Sequence, residues 1–160
     1  MTDRYPVLVV EDDDNALSGY LEFLSAAGFE ATGVSNGADA LPMALRQPPA
    51  AIITDISLPG MSGFELAAAL HCDIRTRHVP VIGLTAHWSS DVRARAVDVA
   101  MEAVLLKPCV PSHLIAELER VLDRAQALRR VQVRRPVKMA RMSMERRAKS
   151  AVHRASAKRR

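Results

Sequence analysis

Glycine is scarce in this chain of 160 residues: there are seven, and no G-x-G-x-x-G or G-x-x-x-x-G-K-[ST] string occurs. The glycine-rich cradles that hold nucleotide phosphates are therefore missing. Cysteine is rarer still. Cys72 and Cys109 form no C-x-x-C pair and no disulfide ladder, so a reducing, cytoplasmic compartment is expected. No run of eighteen apolar residues exists to span a bilayer. The opening MTDRYPVLVVEDDD lacks the apolar stretch and small-residue cleavage site of a signal peptide. What remains is ordinary for a globular protein: 49% apolar and 25% charged residues argue against a wholly disordered chain. The length suits one domain and a remainder.

The net charge of +4 conceals a split. Residues 1–125 carry 9 Lys/Arg against 17 Asp/Glu, a net −8, whereas residues 126–160 carry 13 Lys/Arg against Glu145 alone, a net +12. An acidic domain over 1–125 followed by a basic extension over 126–160 is the expected organisation.

Within the first part, short apolar runs alternate with helical spacing. Pro6–Val10, Phe29–Val34, Ala50–Thr54, Val79–Leu84 and Ala103–Leu106 read as strands. The β-branched runs without polar alternation suit strands buried on both faces of a parallel sheet. Between them, Leu17, Tyr20, Leu21 and Leu24 recur at helical spacing, with Asp14 or Asn15 as the cap. Asn36-Gly37 opens a second helix that Pro42 should kink or delay. Phe64–His71 is a third, a fourth follows Ser89 or Ser90, and the last runs from Pro111 to Ala125. Five βα units imply an α/β fold, a doubly wound parallel sheet with helices on both faces. Polar chemistry in such sheets lies beyond the carboxyl ends of the strands.

The residues at those ends are Glu11-Asp12-Asp13, Asp55, Thr85 and Lys107. Carboxylates placed together repel unless a cation compensates. An oxygen-only set suits a hard divalent ion, Mg²⁺ or Mn²⁺. Lys107 offers a point charge for a phosphoryl oxygen, Thr85 a hydroxyl, and one carboxylate can serve as nucleophile.

The strings VLVVEDD, IITDISLPGMSG, VIGLTA and LLKP, in this order, resemble the receiver domain of two-component response regulators over about residues 5–125. The resemblance implies a flavodoxin-like sheet of five strands in the order 2-1-3-4-5. It implies that Asp55 accepts a phosphoryl group from a sensor histidine kinase or a histidine phosphotransfer protein. Asp12 would ligate Mg²⁺ directly, Glu11 through water, and the backbone carbonyl of Ser57 would complete the protein ligands with Asp55. Thr85 and Lys107 would hold the phosphoryl oxygens, and Asp13 would point elsewhere. The product is a signalling switch rather than an enzyme, with an output face on helix four, strand five and helix five. Ser57 and His87 stand where the family tunes phosphate lifetime. Val104 replaces the family's aromatic switch residue, a departure that leaves Trp88 as one other carrier of the coupling. Cys109 stands where the family has a large apolar residue.

The extension is expected to be partly helical or disordered. Pro136 should interrupt it, and Val137, Ala140, Met144, Ala148, Ala151 and Ala155 give an apolar face too small for a core. Without aromatics it holds no helix-turn-helix. Its charge leaves open a contact with nucleic-acid phosphates, which makes a nucleic-acid-binding regulator the alternative reading. It also leaves open an intramolecular contact with the acidic domain, while a membrane surface is disfavoured without Trp or Phe anchors.

Overall fold

A computed structural model describes residues 5–131. The elements are β1 (Pro6–Val10), α1 (Asp14–Ala26), β2 (Glu30–Val34), α2 (Gly37–Arg46), β3 (Ala51–Asp55), α3 (Gly63–Cys72), β4 (Val81–Thr85), α4 (Ser90–Asp98) and β5 (Ala103–Leu106). A final helix, α5, occupies 111–131, beyond the expected end at Ala125. The strands form one parallel sheet in the order β2-β1-β3-β4-β5. The chain divides into two units, Met1–Ala125 and Gln126–Arg160. Residues 132–160, with Pro136 and the alanine face, lie outside the described residues.

The apolar runs work as the two-sided burial rule requires. Val7 and Val9 point to one face, with Leu24, Ile53, Ile82, Leu114 and Leu118. Leu8 and Val10 point to the other, with Ile52, Leu66, Leu70 and Val81. Every residue of the inner strands β3 and β4 is buried, whereas β2, at an edge, is partly open. Helices thus cover both faces, which leaves the strand ends as the place where polar groups can gather.

Several boundaries differ from the sequence expectation for local reasons. The cap of α1 is Asp13, not Asp14 or Asn15: its carboxylate accepts from the Ala16 N–H at 2.7 Å. That bond turns Asp13 into the helix and leaves Glu11 and Asp12 to the strand end. Asn36 caps α2 as expected, but Pro42 sits inside the helix and does not delay its start. Of the two serines proposed for α4, Ser89 is the cap. Helix α3 starts at Gly63, where Ser62 and Glu65 form a reciprocal capping box. β2 begins at Glu30 rather than Phe29, and β4 at Val81 rather than Val79. β3 begins at Ala51 rather than Ala50 and extends one residue further, so Asp55 is its last member rather than the residue beyond it. Pairing of Asp55 with Leu84 of β4 fixes its backbone within the ladder.

Candidate functional site

The strand ends bring Glu11, Asp12, Asp55 and Lys107 together. Glu11 follows β1 and is almost fully buried, Asp12 beside it is exposed, and Asp55 closes β3 with 7% exposure. One carboxylate oxygen from each of the three acids lies within 4.8 Å of the others. Lys107 follows β5 and precedes a cis peptide bond to Pro108. Its Nζ donates to Glu11 Oε2 at 2.7 Å and to Asp55 Oδ2 at 2.8 Å. One ammonium therefore bridges the ends of β1 and β3 from the end of β5.

The second oxygen of each buried carboxylate meets a backbone donor. The Ser57 N–H donates to Asp55 Oδ1 at 2.9 Å, and the Asp13 N–H to Glu11 Oε1 at 3.3 Å. Each inward carboxylate thus has one oxygen on Lys107 and the other on a main-chain donor, which fixes its plane. Burial alone would lower the pKa of Lys107. Hydrogen bonds to Asp55 and Glu11, with their charges, outweigh it and hold the ammonium above its ordinary value.

Thr85 ends β4 and is buried, but its hydroxyl is engaged in its own turn. It donates to the His87 carbonyl at 2.8 Å and accepts from the His87 N–H at 3.2 Å. It therefore stands at the same sheet edge without a bond to the acid cluster. Ser57 reaches the cluster through its backbone, as its bond to Asp55 requires.

Two departures noted in the sequence have plain settings. Val104 is half-buried and packs against the cluster of Ile56, Phe64 and Ala96. Trp88 is 53% exposed and Cys109 packs at the rim of the α1–α5 core. Sequence reasoning did not single out Tyr20 for the site. Burial pushes its phenol pKa up against the opposing influence of Lys107, with Glu11 and Asp55 close enough to add to the rise. Leucine-like spacing hid it among core positions of α1.

Three carboxylates against one ammonium leave two negative charges gathered at the sheet edge. All donors facing that gap are oxygens, the set a hard divalent cation takes. Glu11, Asp12 and Asp55 therefore fit Mg²⁺ in donor chemistry and in charge.

The profile of the response regulator receiver domain matches residues 7–119. The chain is 37% identical over 122 residues to the transcriptional regulatory protein HprR of Escherichia coli, covering 76% of this chain and 53% of that protein. It is 32% identical over 119 residues to the polar-differentiation response regulator DivK of Brucella anthropi, covering 74% of this chain and 97% of that protein. Among solved structures it is similar to the receiver domain of a sensor histidine kinase from Pseudomonas aeruginosa, with magnesium coordinated in the active-site cleft. That match has a TM-score of 0.70 at 28% identity and covers 75% of this chain and 98% of the other. The chain thus spans about half the length of a transcriptional regulator such as HprR and nearly all of DivK.

Proposed function

The chain belongs to the family of response regulator receiver domains, and from that premise we propose that it accepts a phosphoryl group from a phosphohistidine protein onto Asp55, with Mg²⁺, and thereby switches the binding of a partner. The observation that carries the proposal is the Lys107 ammonium, hydrogen-bonded at once to Asp55 and to Glu11 across three strand ends. Its donor is a sensor histidine kinase or a histidine phosphotransfer protein, and its setting is the cytoplasm. Among the described residues no helix is long and apolar enough to cross a membrane.

In the transfer, a carboxylate oxygen of Asp55 forms a bond to phosphorus as the phosphorus–nitrogen bond of the donor imidazole breaks, and the nitrogen keeps the electron pair. Lys107 places positive charge where negative charge builds on the phosphoryl oxygens. The Ser57 N–H holds the other carboxylate oxygen and so orients the nucleophile. Asp12, Glu11, Asp55 and the Ser57 carbonyl are the groups to hold Mg²⁺ (Mn²⁺ would serve), and the ion when bound adds Lewis-acid stabilisation of the phosphoryl charge. Thr85 joins afterwards: to hold a phosphoryl oxygen its hydroxyl must leave the His87 carbonyl. That exchange loosens the turn ahead of α4. The face of α4, β5 and α5, where Val97 and Leu106 are exposed, is the output surface. The chain acts as a switch that promotes its own modification, not as an enzyme with turnover on external substrates.

The test is transfer of label from a radiolabelled phosphohistidine domain. Label is expected on the parent chain and not on Asp55→Asn; equal labelling of both, or of neither, contradicts the proposal.

A second reading rests on the charge of residues 126–160, +12 against −8 for the rest. It makes this segment a contact for nucleic-acid phosphates. Binding to duplex DNA should then fall with log salt at a slope of roughly −7 for about eight phosphates. Affinity unchanged on deleting 132–160 contradicts it.

A further inference from the structure

We propose that Gly63 is a positioning residue for phosphoryl transfer: the absence of a side chain there lets α3 seat against the acceptor's own peptide bond and so sets the direction of the Asp55 carboxylate. This rests on the reading of Asp55 as acceptor. A methyl group on Gly63 would overlap the Asp55 carbonyl oxygen and lie 2.9 Å from the Ile56 Cα and 3.1 Å from the Asp55 carbonyl carbon. All three are backbone atoms, without the freedom of a side-chain tip.

Neither partner in this contact is loose. The Asp55 carbonyl accepts the Thr54 hydroxyl at 2.9 Å, and the Ile56 N–H donates to Leu84 of β4 at 2.8 Å. From the other side, the Gly63 N–H donates to the Ile56 carbonyl at 3.1 Å. The helix that Gly63 opens is fixed by its capping box and by buried Phe64, Leu66, Ala67 and Leu70. Withdrawing α3 would uncover those side chains. Tilting the peptide of Asp55 and Ile56 is the smaller disturbance, and it turns the carboxylate away from Lys107 and from the Ser57 N–H. A misplacement of about 1 Å at a reacting group can cost roughly 100-fold in rate.

Gly33 supplies the control. The atoms nearest a methyl there belong to the Leu17 and Leu21 side chains, at 2.9 Å, and those ends can move. The full chain, Gly63→Ala, Gly33→Ala and Asp55→Asn are incubated with Mg²⁺ and varied acetyl phosphate, and phosphorylation is followed by intact mass, with folding checked by circular dichroism. Gly63→Ala is expected to fold, to lose 10- to 100-fold in the limiting rate constant, and to keep its half-saturating acetyl phosphate within about threefold. Gly33→Ala should stay within twofold of the parent. A Gly63→Ala rate within twofold of the parent overturns the inference, as does an equal loss in Gly33→Ala. So does a Gly63→Ala chain that fails to fold while Gly33→Ala folds, because the role is then structural. A parent chain that gains no phosphoryl mass from acetyl phosphate defeats the proposed function itself, a separate result.

Discussion

At the scale of single residues, Lys107 carries the greatest burden. It compensates two carboxylates that burial has stripped of most of their water, Glu11 at 1% and Asp55 at 7% exposure. Removing one partner from such a group leaves charge without compensation, which costs more than the intact pair ever contributed. Lys107→Met is therefore expected to lower unfolding free energy by about 2–3 kcal/mol at neutral pH, the buried-pair figure reduced for the partial exposure of the ammonium. Urea denaturation checks this, and an unchanged midpoint contradicts it. The pH dependence has a definite sign. The folded pKa of Lys107 is raised, so its contribution is complete below the ordinary value of about 10.4 and fades only as pH climbs through the higher folded value. The parent should show no loss from this source between neutrality and pH 9. The residue types at the site were legible in the sequence because each follows or ends a buried apolar run, and together they point to one sheet edge. The bond between the Thr85 hydroxyl and His87 was not legible. It depends on how one turn closes, and a serine or threonine after a strand has many local partners.

At the scale of elements, α4 is the least anchored helix. Its nine residues bury Ala96 alone, and Arg95 lies over the Phe64 ring at 4.4 Å to the centroid as a contact to α3. Its end is strained as well. Ala100 sits at φ 56°, and the Met101 N–H reaches back to the Ala96 carbonyl while the Ala100 N–H reaches Val97, the bonding of a Schellman stop. Glycine is the residue that adopts this conformation without penalty. Ala100→Gly is thus expected to stabilise the chain by about 0.5–1 kcal/mol, read as a rise in Tm of roughly 1–4 °C; a fall in Tm contradicts the assignment. The same case shows why boundaries were hard to read. A glycine at position 100 would have marked the stop, as Gly28 does after α1, where φ is 95°. Asp13 misled in the opposite way. The helical spacing pointed to Asp14 or Asn15 as the cap, and only the bond from the Ala16 N–H places it one residue earlier. Strand positions needed no such detail, since β1, β3 and β4 are apolar on both faces and their burial admits little else.

At the scale of the whole molecule, parallel strand order converts five separated segments into one edge, and the edge gathers two uncompensated negative charges. A divalent cation that binds only the folded arrangement must therefore stabilise it. At a Mg²⁺ concentration about 100 times its Kd, the gain is about 2.7 kcal/mol. The expected result is a rise in Tm with Mg²⁺ for the parent and little or none for Asp12→Asn; identical rises would place the ion elsewhere. The parallel sheet and the meeting of polar residues at its edge were within reach of the sequence, because alternation and buried runs imply the sheet and its strand ends gather the polar groups. The strand order came from the family resemblance. The crowding between Gly63 and Asp55 was not within reach, as it arises from the seating of α3 on β3 in space. The central claim is that Asp55 itself becomes the acyl phosphate, and reduction with borohydride tests it most directly. After incubation with Mg²⁺ and acetyl phosphate, an aspartyl phosphate is reduced to homoserine, and peptide mass mapping locates the altered residue. Conversion at Asp55 alone, dependent on Mg²⁺, is the expected result; conversion at Asp12 or Asp13, or none at Asp55 in a chain that has gained phosphoryl mass, would contradict the account.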